Sequence, residues 1–155
     1  MPRFKILLPI VLVVLASGCS SPETPPAVSA APENFATSRQ VMLGLTIPAA
    51  DVVWGVGSAE PADDLAWEKV AANAAMLAES VQLLLSGSRN LQQPVWTTQS
   101  QALIEAGKAA AVAAQKHDVD GVLAAGDAMY NACDACHNDF LPAKVAERAQ
   151  SATAP

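Results

Sequence analysis

The chain has 155 residues, 52% of them hydrophobic, and sets 9 basic side chains against 15 acidic ones for a net charge of −6. That balance excludes a nucleic-acid-binding surface and electrostatic adhesion to anionic lipid, both of which need clustered cations. Length and composition suit one domain with a core of its own.

The first segment reads as an export signal. Arg3 and Lys5 precede an apolar run from Ile6 to Ala16, which is too short for a comfortable transmembrane helix. Leu15-Ala16-Ser17-Gly18-Cys19 follows and resembles a bacterial lipobox, in which cleavage falls before the cysteine and its thiol takes diacylglycerol. Ala16 stands where a larger apolar residue is usual, so an ordinary signal peptide cut nearby is the alternative. Residues 1–18 are thus expected as a lipoprotein signal peptide and Cys19 as the lipidation site. Ser20 favours the outer membrane under enterobacterial sorting rules. Loss of Arg3 and Lys5 with the signal leaves 7 basic residues facing 15 acidic ones, a formal charge of −8. Residues 19–34 carry Pro22, Pro25, Pro26 and Pro32 among Ser, Ala and Thr, the composition of an extended tether.

Residues 35–149 are expected to be all-helical, because no sustained period-two alternation bounded by hairpin turns occurs. The first helix is expected from Ala36 to Ile47, with Pro48 kinking or breaking it before a further turn up to Trp54. The second begins after Pro61, with Asp63 or Asp64 as cap and Glu68 favourable to the helix dipole. Leu65, Val70, Ala74, Leu77, Val81 and Leu84 recur along it at helical spacing, and Met76 reads as core. Gly87 and Ser88 end it. The third runs from Pro94 to about Lys116, with an alanine face from Ala106 to Ala114 that lets a neighbour approach closely. The fourth starts after Asp118 or Asp120 and is interrupted at Pro142. Residues 150–155 read as a frayed tail. Four helices with short links predict an antiparallel, up-down-up-down four-helix bundle.

The last helix carries Cys133-Asp134-Ala135-Cys136-His137. C-x-x-C-H is the spacing of covalent haem c attachment. On a helix Cys133 and Cys136 lie one turn apart on the same face, and His137 falls within the same arc. Two thiols can then form thioethers with the haem vinyl groups while the imidazole ligates iron. Two cysteines and one histidine are too few for a structural zinc site, and no βαβ pattern supports a thioredoxin-like dithiol. Haem c is attached outside the cytoplasm, so export and attachment motifs agree. Cys19, Cys133 and Cys136 account for all three cysteines.

The bundle topology brings this end of the last helix to the starts of the first and third helices. His117 then lies about 18 residues, roughly 27 Å, from the motif and is rejected as second axial ligand. Met129 is on the haem-bearing helix itself and is expected to pack beside the porphyrin. Met42, in the first helix, remains as the candidate distal ligand, a thioether being a known haem ligand. The alternative is that Met42 lines an open pocket beside five-coordinate iron, with Val41, Leu43 or Leu45. Trp96 is expected near the haem. Trp54 and Trp67 are expected to cap the core far from it.

Tyr130-Asn131-Ala132-Cys133-Asp134-Ala135-Cys136-His137-Asn138-Asp139-Phe140 is similar to the haem helix of the class II c-type cytochromes, cytochrome c′ and cytochrome c-556. Arg39-Gln40-Val41-Met42 resembles the first-helix stretch that supplies the distal residue there. The resemblance spans roughly residues 36–144. It implies His137 as proximal and Met42 as distal iron ligand, with a homodimer as a common assembly. Leu141 and Pro142 depart from the family, whose members often carry a basic residue shortly after the position of Phe140. The expected protein is a monohaem electron carrier, without catalytic residues, on the periplasmic side of a bacterial membrane, exchanging electrons with redox partner proteins. The alternatives are a cytochrome c′-like binder of nitric oxide or carbon monoxide, and a haem-free interaction lipoprotein.

Overall fold

The computed structural model describes residues 34–144 and 146. Cys19, the signal segment, residues 19–33 of the expected tether and the 150–155 tail lie outside them. No strand occurs among the described residues. Five α-helices follow in order: α1 (Ser38–Val41), α2 (Ile47–Gly55), α3 (Asp64–Leu84), α4 (Pro94–Gln115) and α5 (Val119–Phe140). A π-helical turn, Met42–Thr46, joins α1 to α2, and a 3-10 turn, Gly87–Arg89, follows α3. No helix among the described residues is long and apolar enough to cross a membrane.

Of the kink or break expected at Pro48, the break does not occur. Backbone dihedrals stay helical from the α1 end through the π turn into α2. In an α-helix the proline ring would collide with the carbonyl of Gly44, four residues back. The π turn widens the helix at that point, and Ile47 N–H bonds Met42 O, five residues back. Pro48 then sits in the first turn of α2, where a missing N–H costs little.

The other boundaries follow local chemistry. Thr37 and Gln40 form a capping box at the start of α1. Asp63 accepts from Ala66 N–H at 2.8 Å, and Asp118 accepts from Gly121 N–H at 2.9 Å, so each is the N-cap of its helix. α4 ends in a Schellman closure: Asp118 N–H bonds Ala113 O at 3.0 Å and His117 N–H bonds Ala114 O at 3.1 Å. His117 takes the left-handed position of that motif, with φ +55°. α5 stops at Phe140, and Leu141 turns to extended backbone before Pro142.

α4 packs along α3 on one side and α5 on the other, while α2 lies against α3 and α5. Val70, Ala74, Leu77, Val81 and Leu84 of α3 are buried as expected. Two side chains of α3 depart from expectation. Leu65 is 59% exposed and Met76 is 50% exposed. Met76 immediately precedes Leu77, which takes the core position, so the methionine turns about 100° away. Across the seam, a Cβ on Gly107 would stand 2.9 Å from Leu77 Cδ2 and 3.0 Å from Ala74 O. Over its second half the buried face of α4 is Ala106, Gly107, Ala110, Ala111, Ala113 and Ala114, which permits that approach.

Contacts fix which ends meet. Trp96 near the start of α4 donates from Nε1 to Leu84 O at 3.1 Å and meets Phe140 of α5 edge-on, with ring centroids 5.2 Å apart. Arg89 donates to Leu83 O and, at 2.8 Å, to Ala36 O, tying the α3–α4 link to the entry of α1. Asn34 donates to Ser86 O at 3.0 Å in the same region. Its amide sits where a Cβ on Gly87 would lie 2.5 Å away, and Gly87 has φ +55°, so glycine is favoured there on both counts. At the opposite end Trp67 stacks on His117 with centroids 5.1 Å apart.

Candidate cofactor site

α5 carries Cys133, Cys136 and His137 in its last two turns, near the end where Trp96 meets Phe140. Both thiols are free and half-buried. Burial, with the neighbouring Cys136 second, pushes the Cys133 thiol up from about 9 to about 11. Burial, with the Asp139 carboxylate second, also raises Cys136. Both are therefore neutral thiols at physiological pH.

Two adjoining cavities open beside them. The inner one, about 250 Å³, is lined by Met42, Thr46, Ile47, Ala50, Trp54, Val81, Leu84, Leu103, Tyr130, Cys133, Cys136 and His137, among others. The outer one, about 490 Å³, is lined by Arg39, Met42, Leu43, Ile47, Trp96, Cys136, His137, Phe140 and Leu141, among others. Met42, Ile47, Cys136 and His137 belong to both walls. The combined space is in the range of ligand sites and mainly apolar, with a few polar groups at defined points.

A haem group fits this donor set. It needs an apolar slot, two thiols one helical turn apart, and an imidazole beside them. Every buried side-chain polar atom among the described residues has a hydrogen-bond partner, so the slot carries no unmet polar demand. Among the described residues no three His, Cys, Asp or Glu side chains gather as a metal site.

The expected site residues distribute unevenly. Met42 is half-buried and lines both cavities with His137. Trp96 lines the outer cavity. Met129 is fully buried in the core and is not among the side chains lining either cavity. Val41 is core, Leu43 lines only the outer cavity, and Leu45 lines neither. His117 is exposed and stacks on Trp67 at the far end, so that end is capped as expected. Trp54 corrects the sequence reading. It lines the inner cavity with Cys133, and its Nε1 donates to Gly126 O at 3.0 Å. Tyr130, Thr46 and Ala50 were also missed. The signal was present: Met42, Thr46, Ala50 and Trp54 recur every four residues and line one wall. Reading Pro48 as a helix break cut that stripe in two.

The chain was compared with models of protein families, with curated proteins and with solved structures, and none of the three comparisons gives a match.

Proposed function

We propose that the chain is a monohaem c-type cytochrome that carries electrons. In this reading α1, the π turn and α2 act as one helix, and with α3, α4 and α5 they make an antiparallel four-helix bundle with haem c attached to α5. The single observation that carries the reading is that Met42 and His137, from different helices, line the same two cavities beside Cys133 and Cys136.

The bound group would supply a one-electron Fe(III)/Fe(II) couple. The chain's residues supply the rest. Cys133 and Cys136 would hold the group through thioethers, each formed by adding S–H across a vinyl group with no net redox change. His137 gives an imidazole nitrogen on the α5 side. Met42 offers its thioether from the facing helix, which raises the potential relative to a second histidine. Ile47, Val81, Leu84 and Leu103 exclude water from the slot. Two fixed ligands keep reorganisation small, which suits electron transfer rather than catalysis. The lipobox-like Cys19 supports anchorage on the periplasmic side of a bacterial membrane, where redox partner proteins would be met.

A second reading is favoured by the outer cavity, whose Leu43, Phe140 and Leu141 give an apolar space next to Met42. A small neutral gas would fit there if Met42 left the iron open. The optical spectrum of reduced holoprotein, with and without carbon monoxide, separates the two. A low-spin spectrum indifferent to the gas, converted by Met42→Ala into one that shifts with it, is the expected result. A wild-type spectrum that is high-spin and gas-sensitive would replace the carrier reading with gas binding.

A further inference from the structure

The π turn decides which side chain faces the slot. Its defining bond runs from Ile47 N–H to Met42 O, five residues back. An uninterrupted α-helix would bond Ile47 to Leu43, four residues back. Relative to α2 and everything after it, Met42 therefore takes the angular position that Leu43 would hold in a regular helix. One residue of register is about 100° of rotation. The burial pattern records the shift. Val41, five residues before buried Thr46, is core, and Leu43 is 56% exposed.

Two features hold the turn in this register. Pro48 has no N–H for Gly44 O and cannot accept an α-helical carbonyl there without a clash. Thr46 and Ser80 form a buried hydroxyl pair at 2.9 Å. Ser80 also has Leu77 O at 2.8 Å and Thr46 has Val41 O at 3.5 Å as acceptors, and either hydroxyl can donate across the pair. That pair pins the end of the π turn to α3. Single π turns recur at functional sites.

We propose that the π turn is the specificity-determining element of this site: Pro48 and the Thr46–Ser80 pair set the register that turns a thioether, Met42, rather than the hydrocarbon of Leu43, toward the slot lined by His137. Thr46, Ser80 and Pro48 are positioning residues. The inference rests on the His137/Met42 reading above and extends it, because the alternative register produces the gas-open site from the same residues.

The test uses holoprotein and two opposite changes. Pro48→Ala with Thr46→Val lets the helix regularise. Its reduced form should lose the wild-type indifference to carbon monoxide and shift its spectrum with the gas, as Met42→Ala does. Amide exchange at Ile47 should change with it. Adding Leu43→Met to that variant should restore indifference to the gas. Deleting Gly44, which has open space around it, shortens the turn to α length while keeping Met42 in place. That variant should keep the wild-type spectrum. Ser80→Ala provides a milder loosening should the double variant fold poorly. The proposal is overturned if the double variant or Ser80→Ala leaves gas binding and Ile47 exchange unchanged, or if Leu43→Met fails to restore the spectrum. If Met42→Ala itself leaves the spectrum unchanged, the ligand reading falls instead. The register account then stands or falls on the Met42 methyl chemical shift, which must move with Ile47 exchange in the double variant.

Discussion

The two ends of the helical body use similar residues to opposite effect. At the α3 start, Trp67 is 4% exposed and stacks flat on His117, beside a groove of about 380 Å³ that Asp64, Glu68 and Gln115 also line. At the α5 end, Trp96 meets Phe140 edge-on and Trp54 is hydrogen-bonded to Gly126 O, yet cavities lie between them. Aromatic mass closes a gap where rings stack and lines one where backbone bonds hold the rings against the wall. The first is the closed end, and the second, where Cys133, Cys136 and His137 lie, is the hollow end.

The largest expected effect belongs to the hollow end. Replacing both Cys133 and Cys136 by serine removes all covalently attached haem, as denaturing gel electrophoresis with haem staining would show. Full retention of stain would break the comparison at its root.

Trp67→Ala tests the closed end. Loss of a buried aromatic side chain costs about 3–5 kcal/mol, visible in denaturant unfolding. The spectrum of whatever protein stays folded should be that of wild type. A changed spectrum would mean the two ends are coupled.

A pH effect should separate them further. In protein without attached haem, the Cys133 thiol is raised to about 11 from an ordinary value near 9, and Cys136 is raised too. The folded state thus holds its thiol protons more tightly than the unfolded state. That stabilisation is fully present below pH about 9 and is lost as pH rises from there through about 11. Thermal melts across this window should show the falling limb. The same limb should be absent once the sulfurs are thioethers, which do not titrate.

The smallest effect is expected for Asp118→Ala, which removes the α5 cap at the closed end. Helix caps contribute roughly 1 kcal/mol. Unfolding should shift by that amount, with no change in gas binding.

How much was legible in the sequence follows the range of the interactions. The Cys133–His137 run and the Pro94 start of α4 depend on neighbours within four residues and could be read directly, while each aspartate cap could be read only as one of two, Asp63 or Asp64 and Asp118 or Asp120. The consequence of Pro48 could not, because it depends on whether the chain can widen into a π turn, and the Thr46–Ser80 bond that pins that turn spans 34 residues. Met76 was misread because an alanine-rich helix offers several apolar faces, and only packing shows that Leu77 takes the inner one. His117 lies away from the cavities, stacked on Trp67. Its backbone role in the Schellman closure, where glycine is usual, left no composition signal.

The alanine seam has a consequence for adaptability. Alanine has no side-chain rotamers to lose or to exchange, so the contact of α4 with Gly107, Ala110 and Ala114 against α3 offers no alternative packings. Such a seam behaves as a stiff floor of low configurational entropy. The slot lies beyond that seam, with Val81, Leu84, Gln99 and Leu103 among its lining, so a change of volume there falls on side chains that do have conformers to choose among.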